Sequence, residues 1–109
     1  MKVTTSAEGT LFYRKFSEMA LGEATDSHPH NWPHDWVLVK GKARVENEYP
    51  DGSIEVVKAI APFHMQIKAI ASHTVYSEED DSQWWCVFPH RNKHGVLSDK
   101  CEGAKEAYC

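Results

Sequence analysis

Short runs of alternating apolar and polar residues recur along the chain, each cut off by glycine, proline or a charged turn, and a helical period hardly ever persists. A chain patterned this way buries one face of each of several short strands, which argues for an all-β sandwich or barrel. Leu11 to Leu21 reads as a first strand running into Gly22. His34 to Lys40 (HDWVLVK) is β-rich and is broken by Gly41, and Ala43 to Tyr49 alternates as its return. Pro50-Asp51-Gly52-Ser53 is a turn, with proline pre-set for the second position and glycine free to take positive φ. Ile54 to Ile60 alternates again and stops at Pro62. Phe63 to Ala71, His73 to Ser77 and Trp84 to Phe88 supply three further strands. The acidic run Glu78-Glu79-Asp80-Asp81 reads as a solvated hairpin loop, because like charges repel and stay wet. It lacks the alternating oxygens and the glycine that a calcium loop needs. Arg91 to Gly95 reads as a turn and Ser98 to Cys109 as a short C-terminal helix.

With 109 residues the chain has room for one domain, 1–109, and its 41% hydrophobic fraction is enough to fill a core. A net charge of −4 without a stripe of lysine and arginine disfavours nucleic acid, whose phosphates demand a row of cations. No run approaches the roughly 18 apolar residues that span a bilayer, and the N-terminus lacks the apolar segment of a signal peptide. The expected location is therefore cytoplasmic. The three cysteines, Cys86, Cys101 and Cys109, are odd in number and form no Cys-x-x-Cys pair, which argues against a zinc knuckle or a disulfide framework. Cys86 reads as a buried small hydrophobe.

The chemistry concentrates in the histidines. Three of the seven, His28, His30 and His34, fall within seven positions. Strand positions two apart share a face about 7 Å apart, so His28 and His30 can lean toward one ion at about 2.0–2.1 Å per nitrogen. His30 and His34 have the spacing of a helical zinc site, but Pro29 and Pro33 preclude a helix and no glutamate follows His30. The segment reads as a strand end, a bend at Asn31-Trp32-Pro33 and a new strand from His34 that folds it back beside the first pair. A lone histidine is more often a core or surface residue of no special purpose; three at this spacing favour a metal.

That spacing resembles the first motif of the cupin superfamily: glycine, five residues, His-x-His, three or four residues, glutamate, six residues, glycine. Here Gly22, His28, His30, His34 and Gly41 stand at those positions, with His34 in place of the glutamate. The second motif is weaker. In IKAIASHTVYS, His73 stands at the histidine position, but Lys68 and Ile70 occupy the proline and glycine positions and Ser77 that of the asparagine. The motifs span roughly 22–77. The resemblance, to small stand-alone cupins of bacteria and their phages, implies a double-stranded β-helix, a jelly-roll-like barrel with its ligands facing inward.

On that reading His28, His30, His34 and His73 hold one divalent transition metal. Imidazole suits Fe, Mn, Ni, Zn and Cu alike. Asp35 would balance the charge of an all-histidine site, but strand alternation turns it away from His34. Trp36, Cys86 and Phe88 share the inward parity and are candidates for a substrate pocket. His90, near the end of the same strand, is the candidate general acid or base, or else an exposed loop histidine beside Arg91. His64 should face solvent or a dimer partner. The expected function is a metal-dependent enzyme, dioxygenase-like, acting on a small polar molecule; the alternative is a binding module that holds such a molecule without turnover. The resemblance also implies a homodimer through edge strands, with Leu11 to Leu21 as the candidate edge.

Overall fold

The computed structural model describes residues 1–8, 11–27 and 33–89. They form nine strands: β1 (Lys2–Glu8), β2 (Leu11–Met19), β3 (Ala24–Ser27), β4 (His34–Lys40), β5 (Lys42–Glu48), β6 (Ile54–Ile60), β7 (Phe63–Ile67), β8 (Ser72–Ser77) and β9 (Ser82–Pro89). Two antiparallel sheets face each other, one in the order β1-β2-β9-β4-β7 and the other β3-β8-β5-β6. The expected all-β jelly roll is the observed one. The C-terminal helix expected over Ser98–Cys109 and the turn at Arg91–Gly95 lie outside the described residues.

Alternation decides what each strand buries. His34, Trp36 and Leu38 of β4 are buried while Asp35 and Val37 turn outward, and β9 does the same with Ser82, Trp84, Cys86 and Phe88. Ala43, Val45 and Asn47 of β5 and His73, Val75 and Ser77 of β8 form the opposing face. β2 keeps its even-numbered residues inward until a bulge, where Glu18 takes φ 54°, shifts the phase and buries Met19.

One strand was not anticipated: β1 (KVTTSAE) has little apolar surface and is an exposed edge. The strand expected to end over His28 and His30 is described only over β3, four residues up to Ser27. β7 stops at Ile67, not Ala71, because Lys68 to Ala71 turns, with Ala71 N donating to the Lys68 carbonyl at 3.3 Å. The acidic run is not a hairpin: it carries the chain from β8 in one sheet to β9 in the other. Its residues are tied down. Arg44 Nη1 donates to Glu78 at 3.0 Å, Leu21 N donates to Asp80 at 2.9 Å, and Lys40 pairs with Asp81. The expected edge, β2, is also corrected: β1 covers one side of it and β9 the other.

The sandwich closes at the end where Gly41 passes Ser82. The Ser82 hydroxyl donates toward the carbonyls of Lys42 (3.2 Å) and Glu79 (3.0 Å), and the Ser77 hydroxyl donates to Glu79 at 2.6 Å. Gly41 has φ 86°, and a Cβ there would run into the Ser82 side chain and stand 3.0 Å from its Cα. Gly41→Ala is therefore expected to lose about 1–3 kcal/mol or more from conformation alone, before the collision is counted. Chemical denaturation checks this, and a loss under about 0.5 kcal/mol would contradict it.

The β5–β6 hairpin is held by its turn. Asp51 accepts the Ser53 hydroxyl at 2.6 Å and the Ser53 N–H at 2.9 Å, which holds its carboxyl below the usual range. Glu23 is lowered likewise, first by the Ala20 N–H at 2.8 Å. Each folded pKa lies below its unfolded value. The stabilisation is therefore complete above the ordinary carboxylate pKa of about 4 and is lost as pH falls through the lowered one. Asp51→Asn, which keeps the turn's acceptor but removes the titration, should flatten the acid limb of a urea-unfolding pH series. An unchanged limb would sink the assignment.

Candidate metal centre

β4 and β8 begin, and β3, β5, β7 and β9 end, at the end of the sandwich opposite Gly41. His34 is the first residue of β4 and His73 the second of β8, one from each sheet. Both face inward and are buried, at 1% and 5% exposure. Their ring centroids lie 5.2 Å apart with an interplanar angle of 44°. The Phe88 ring lies 4.4 Å from that of His34, tilted by 32°, and fixes its plane. Ser27, the last residue of β3, is the Cα partner of His73. His28, His30 and His90 themselves lie outside the described residues. Among the described residues no cluster of three or more His, Cys, Asp or Glu is assembled.

The remaining candidates fall into three places. Asp35 is turned outward, where its Oδ1 lies 2.9 Å from His64 Nε2, both side chains being largely exposed. Trp36 is fully buried one row below the histidines, against Trp84 (6.3 Å) and Phe63 (6.1 Å), and forms floor more than wall. Cys86 lies in the same row, its Cα opposite that of Trp36. Burial pushes its thiol up to about 12, opposed by the nearby charge of Arg14, so it stays neutral and unreactive near neutral pH. Phe88 belongs to the histidine row itself.

Two inward polar residues were overlooked. Asn47 is 3% exposed and stands directly across from His73. Its Nδ2 donates to Glu55 Oε1 at 3.1 Å. Arg14 occupies an inward position on β2 opposite Cys86, with its guanidinium 5.9 Å from the Phe12 ring centroid. Both were legible in principle, as polar residues at the inward beats of ARVEN and LFYRKF.

No family model matches the chain, and no curated protein does. Solved structures do. A cupin superfamily protein of Desulfitobacterium hafniense DCB-2 superposes with a TM-score of 0.64 at 12% identity, covering 81% of this chain and 77% of that one. A variant of oxalate decarboxylase from Bacillus subtilis gives 0.66 at 16% identity over 75% of this chain, and the chain spans only 22% of that protein. Fe(II)-HppE with an alternative substrate gives 0.59 at 8% identity over 72% and 42% of the two chains. At such identities the likeness establishes the fold, and the fold is that of the cupins.

Proposed function

We propose that this chain is a small single-domain cupin, 1–109, that binds one divalent transition metal through His28, His30, His34 and His73. The supporting observation is the buried His34–His73 pair. Imidazoles sharing one ion at about 2.0–2.1 Å, with an angle between right and tetrahedral, have centroids about 4.5–5.2 Å apart; these two are 5.2 Å apart. The two are contributed by facing sheets, and His28 and His30 follow in sequence directly after β3, whose last residue Ser27 pairs with His73. The donor set is all nitrogen, which suits Fe, Mn, Ni, Zn or Cu. Fe(II)-HppE, among the structural neighbours, is an iron protein of this fold.

Such a metal, when bound, supplies Lewis acidity or redox chemistry to a small polar ligand, in the manner of a mononuclear dioxygenase. The chain's own part is to orient and to dry the site. Phe88 and Trp36 exclude water, and Asn47 stands beside His73. His90 remains the proposed acid or base. The second reading is that the same interior holds a small molecule without turnover. A cytoplasmic location and a homodimer belong to the same proposal. Edge strand β6, which exposes Ile54, Val56 and Ile60, is a better dimer edge than β2. Among the described residues no helix is long and apolar enough to cross a membrane.

The test is metal analysis of the purified protein after growth in metal-supplemented medium, and again after stripping and reloading with each of the five ions. One ion per chain is expected. A chain that neither retains nor takes up a stoichiometric ion would falsify the reading.

A further inference from the structure

Each sheet has two edges, and the strands that form them are not alike. β3 and β7 are short, at four and five residues, and β1 offers Val3 alone as a large exposed apolar side chain. β6 is seven residues long, carries no proline, keeps its register with β5 without a bulge, and exposes Ile54, Val56 and Ile60. A long, flat, apolar edge is a template for another strand, because a row of main-chain donors and acceptors stays open along it.

Two bonds fix which residues present that row. Tyr49 N donates to the Ser53 carbonyl at 2.9 Å and Ala61 N to the Gly41 carbonyl at 3.0 Å, one at each end of the β5–β6 pair. Ladder bonds alternate along an antiparallel strand, so Glu55, Val57 and Ala59 aim theirs at β5. Ile54, Val56, Lys58 and Ile60 turn their N–H and C=O groups to the open edge. An antiparallel copy of β6 must therefore match even-numbered residues with even-numbered ones, which puts a two-fold axis at Val56, Val57 or Lys58.

Length and charge choose among these. An axis at Val56 carries Ile60 past the partner's Ile54 and into its turn, and leaves it uncovered. An axis at Lys58 sets that lysine against the partner's Lys58, with an Arg44 behind each. An axis at Val57 uses the whole of both strands, pairing Ile54 with the partner's Ile60 and Val56 with the partner's Lys58. The outer face of β5 reads Lys42, Arg44, Glu46, Glu48, basic at one end and acidic at the other. This axis joins the basic half of each copy to the acidic half of the other.

Lys58 gains most from it. In one protomer it stands directly opposite Arg44, a destabilising arrangement of like charges, and it has no ion pair among the described residues. The partner's Glu46 would lie two strands away, about 10 Å between Cα atoms, within the joint reach of the two side chains. Glu46 takes Arg44 Nε on Oε2 at 2.9 Å, which leaves its other oxygen to offer. On the inner face Val57 meets the partner's Val57. Glu55, held by Asn47, meets the partner's Ala59, which is too small to crowd it.

We propose that β6 is an interaction surface for a second copy of this chain, the two strands pairing antiparallel about an axis through Val57. Two four-stranded sheets then join into one of eight, and the contact is closed because both copies use the same patch. This rests on the homodimer reading, not on the metal, and adds the register and the Lys58–Glu46 contact that selects it.

Cysteine substitutions read the register, in a background of Cys101→Ser and Cys109→Ser that leaves only the buried Cys86. Opposed, non-bonded residues of an antiparallel pair have Cα atoms about 4.5 Å apart, within the span of a disulfide. Val57→Cys should thus give a covalent dimer on non-reducing electrophoresis after mild oxidation. Val56→Cys and Lys58→Cys should not, since each would lie about 8 Å or more from its own copy. Sedimentation velocity over a concentration series supplies the dissociation constant. Lys58→Glu and Glu46→Lys should each raise it about tenfold, because symmetry removes two ion pairs at once. The double variant should return it to within about threefold of wild type. Should Val57→Cys fail to fold, this charge series scores the register alone, because the other axes do not bring Lys58 beside the partner's Glu46. A dimer that links through Val56→Cys or Lys58→Cys, or that the double variant does not restore, overturns the register and leaves the homodimer reading standing. A chain that stays monomeric at every concentration overturns both.

Discussion

His73→Ala, purified alongside wild type, is expected to lose its metal. Removing even an outer partner of a metal-bound histidine costs about 10–100-fold in affinity. Removing one of four direct ligands should cost at least about 100-fold. Metal content by mass spectrometry should then fall from about one ion per chain to a small residue. His28→Ala should behave the same way. The two variants test different links. His28 belongs to the motif framed by Gly22 and Gly41, whereas His73 rests on position, and its pairing with buried His34 is what supports it. Full occupancy in His73→Ala would remove it from the site and leave the other three histidines in question. The substitution also trades a buried ring for a small cavity, so circular dichroism of the metal-free forms is the control: lost metal with an unchanged spectrum separates ligation from folding.

Trp84→Ala carries the largest expected effect on stability. Trp84 is fully buried, with Trp36 at 6.3 Å and Phe16 at 6.2 Å, in the row that also holds Leu38. Deleting a buried indole costs about 3–5 kcal/mol, against a total of about 5–15 kcal/mol for a domain. The melting temperature should drop by roughly 10 °C or more. Its neighbour Trp85 supplies the contrast. It points outward, against Tyr13 at 5.5 Å with the Lys15 ammonium 5.6 Å from its ring centroid, and stays half-buried. Trp85→Ala should cost about 1 kcal/mol, the ordinary magnitude for a partly exposed side chain. Two adjacent tryptophans of equal size thus separate burial from residue type. Equal losses at both positions would contradict the assigned alternation.

Much of the fold was legible because period-2 patterning is local. The boundaries of β4 and β6 coincide with their sequence expectation, and the inward parity of Trp36, Leu38, Trp84, Cys86 and Phe88 follows from the alternation alone. Asp35 was turned from the site by the same rule, and its partner proved to be His64. Where pattern was weak, a strand was missed: β1 has little apolar surface to alternate. Sheet membership was equally hidden. The acidic run joins two strands adjacent in sequence, but whether they pair depends on residues far away, and β8 and β9 belong to different sheets.

By itself the sequence determined that the chain is all-β, which side chains each strong strand buries, and that the histidines cluster near one strand start. These follow from local sterics and local hydrophobic period. The tertiary structure decided which residues meet. His34 and His73 are 39 positions apart and become neighbours only because β4 and β8 begin at the same end of facing sheets. Arg14 and Cys86, 72 positions apart, come to stand opposite one another only because β2 pairs with β9. Such pairings are set by long-range registry, whose energy is shared among many strands and is written in no single segment.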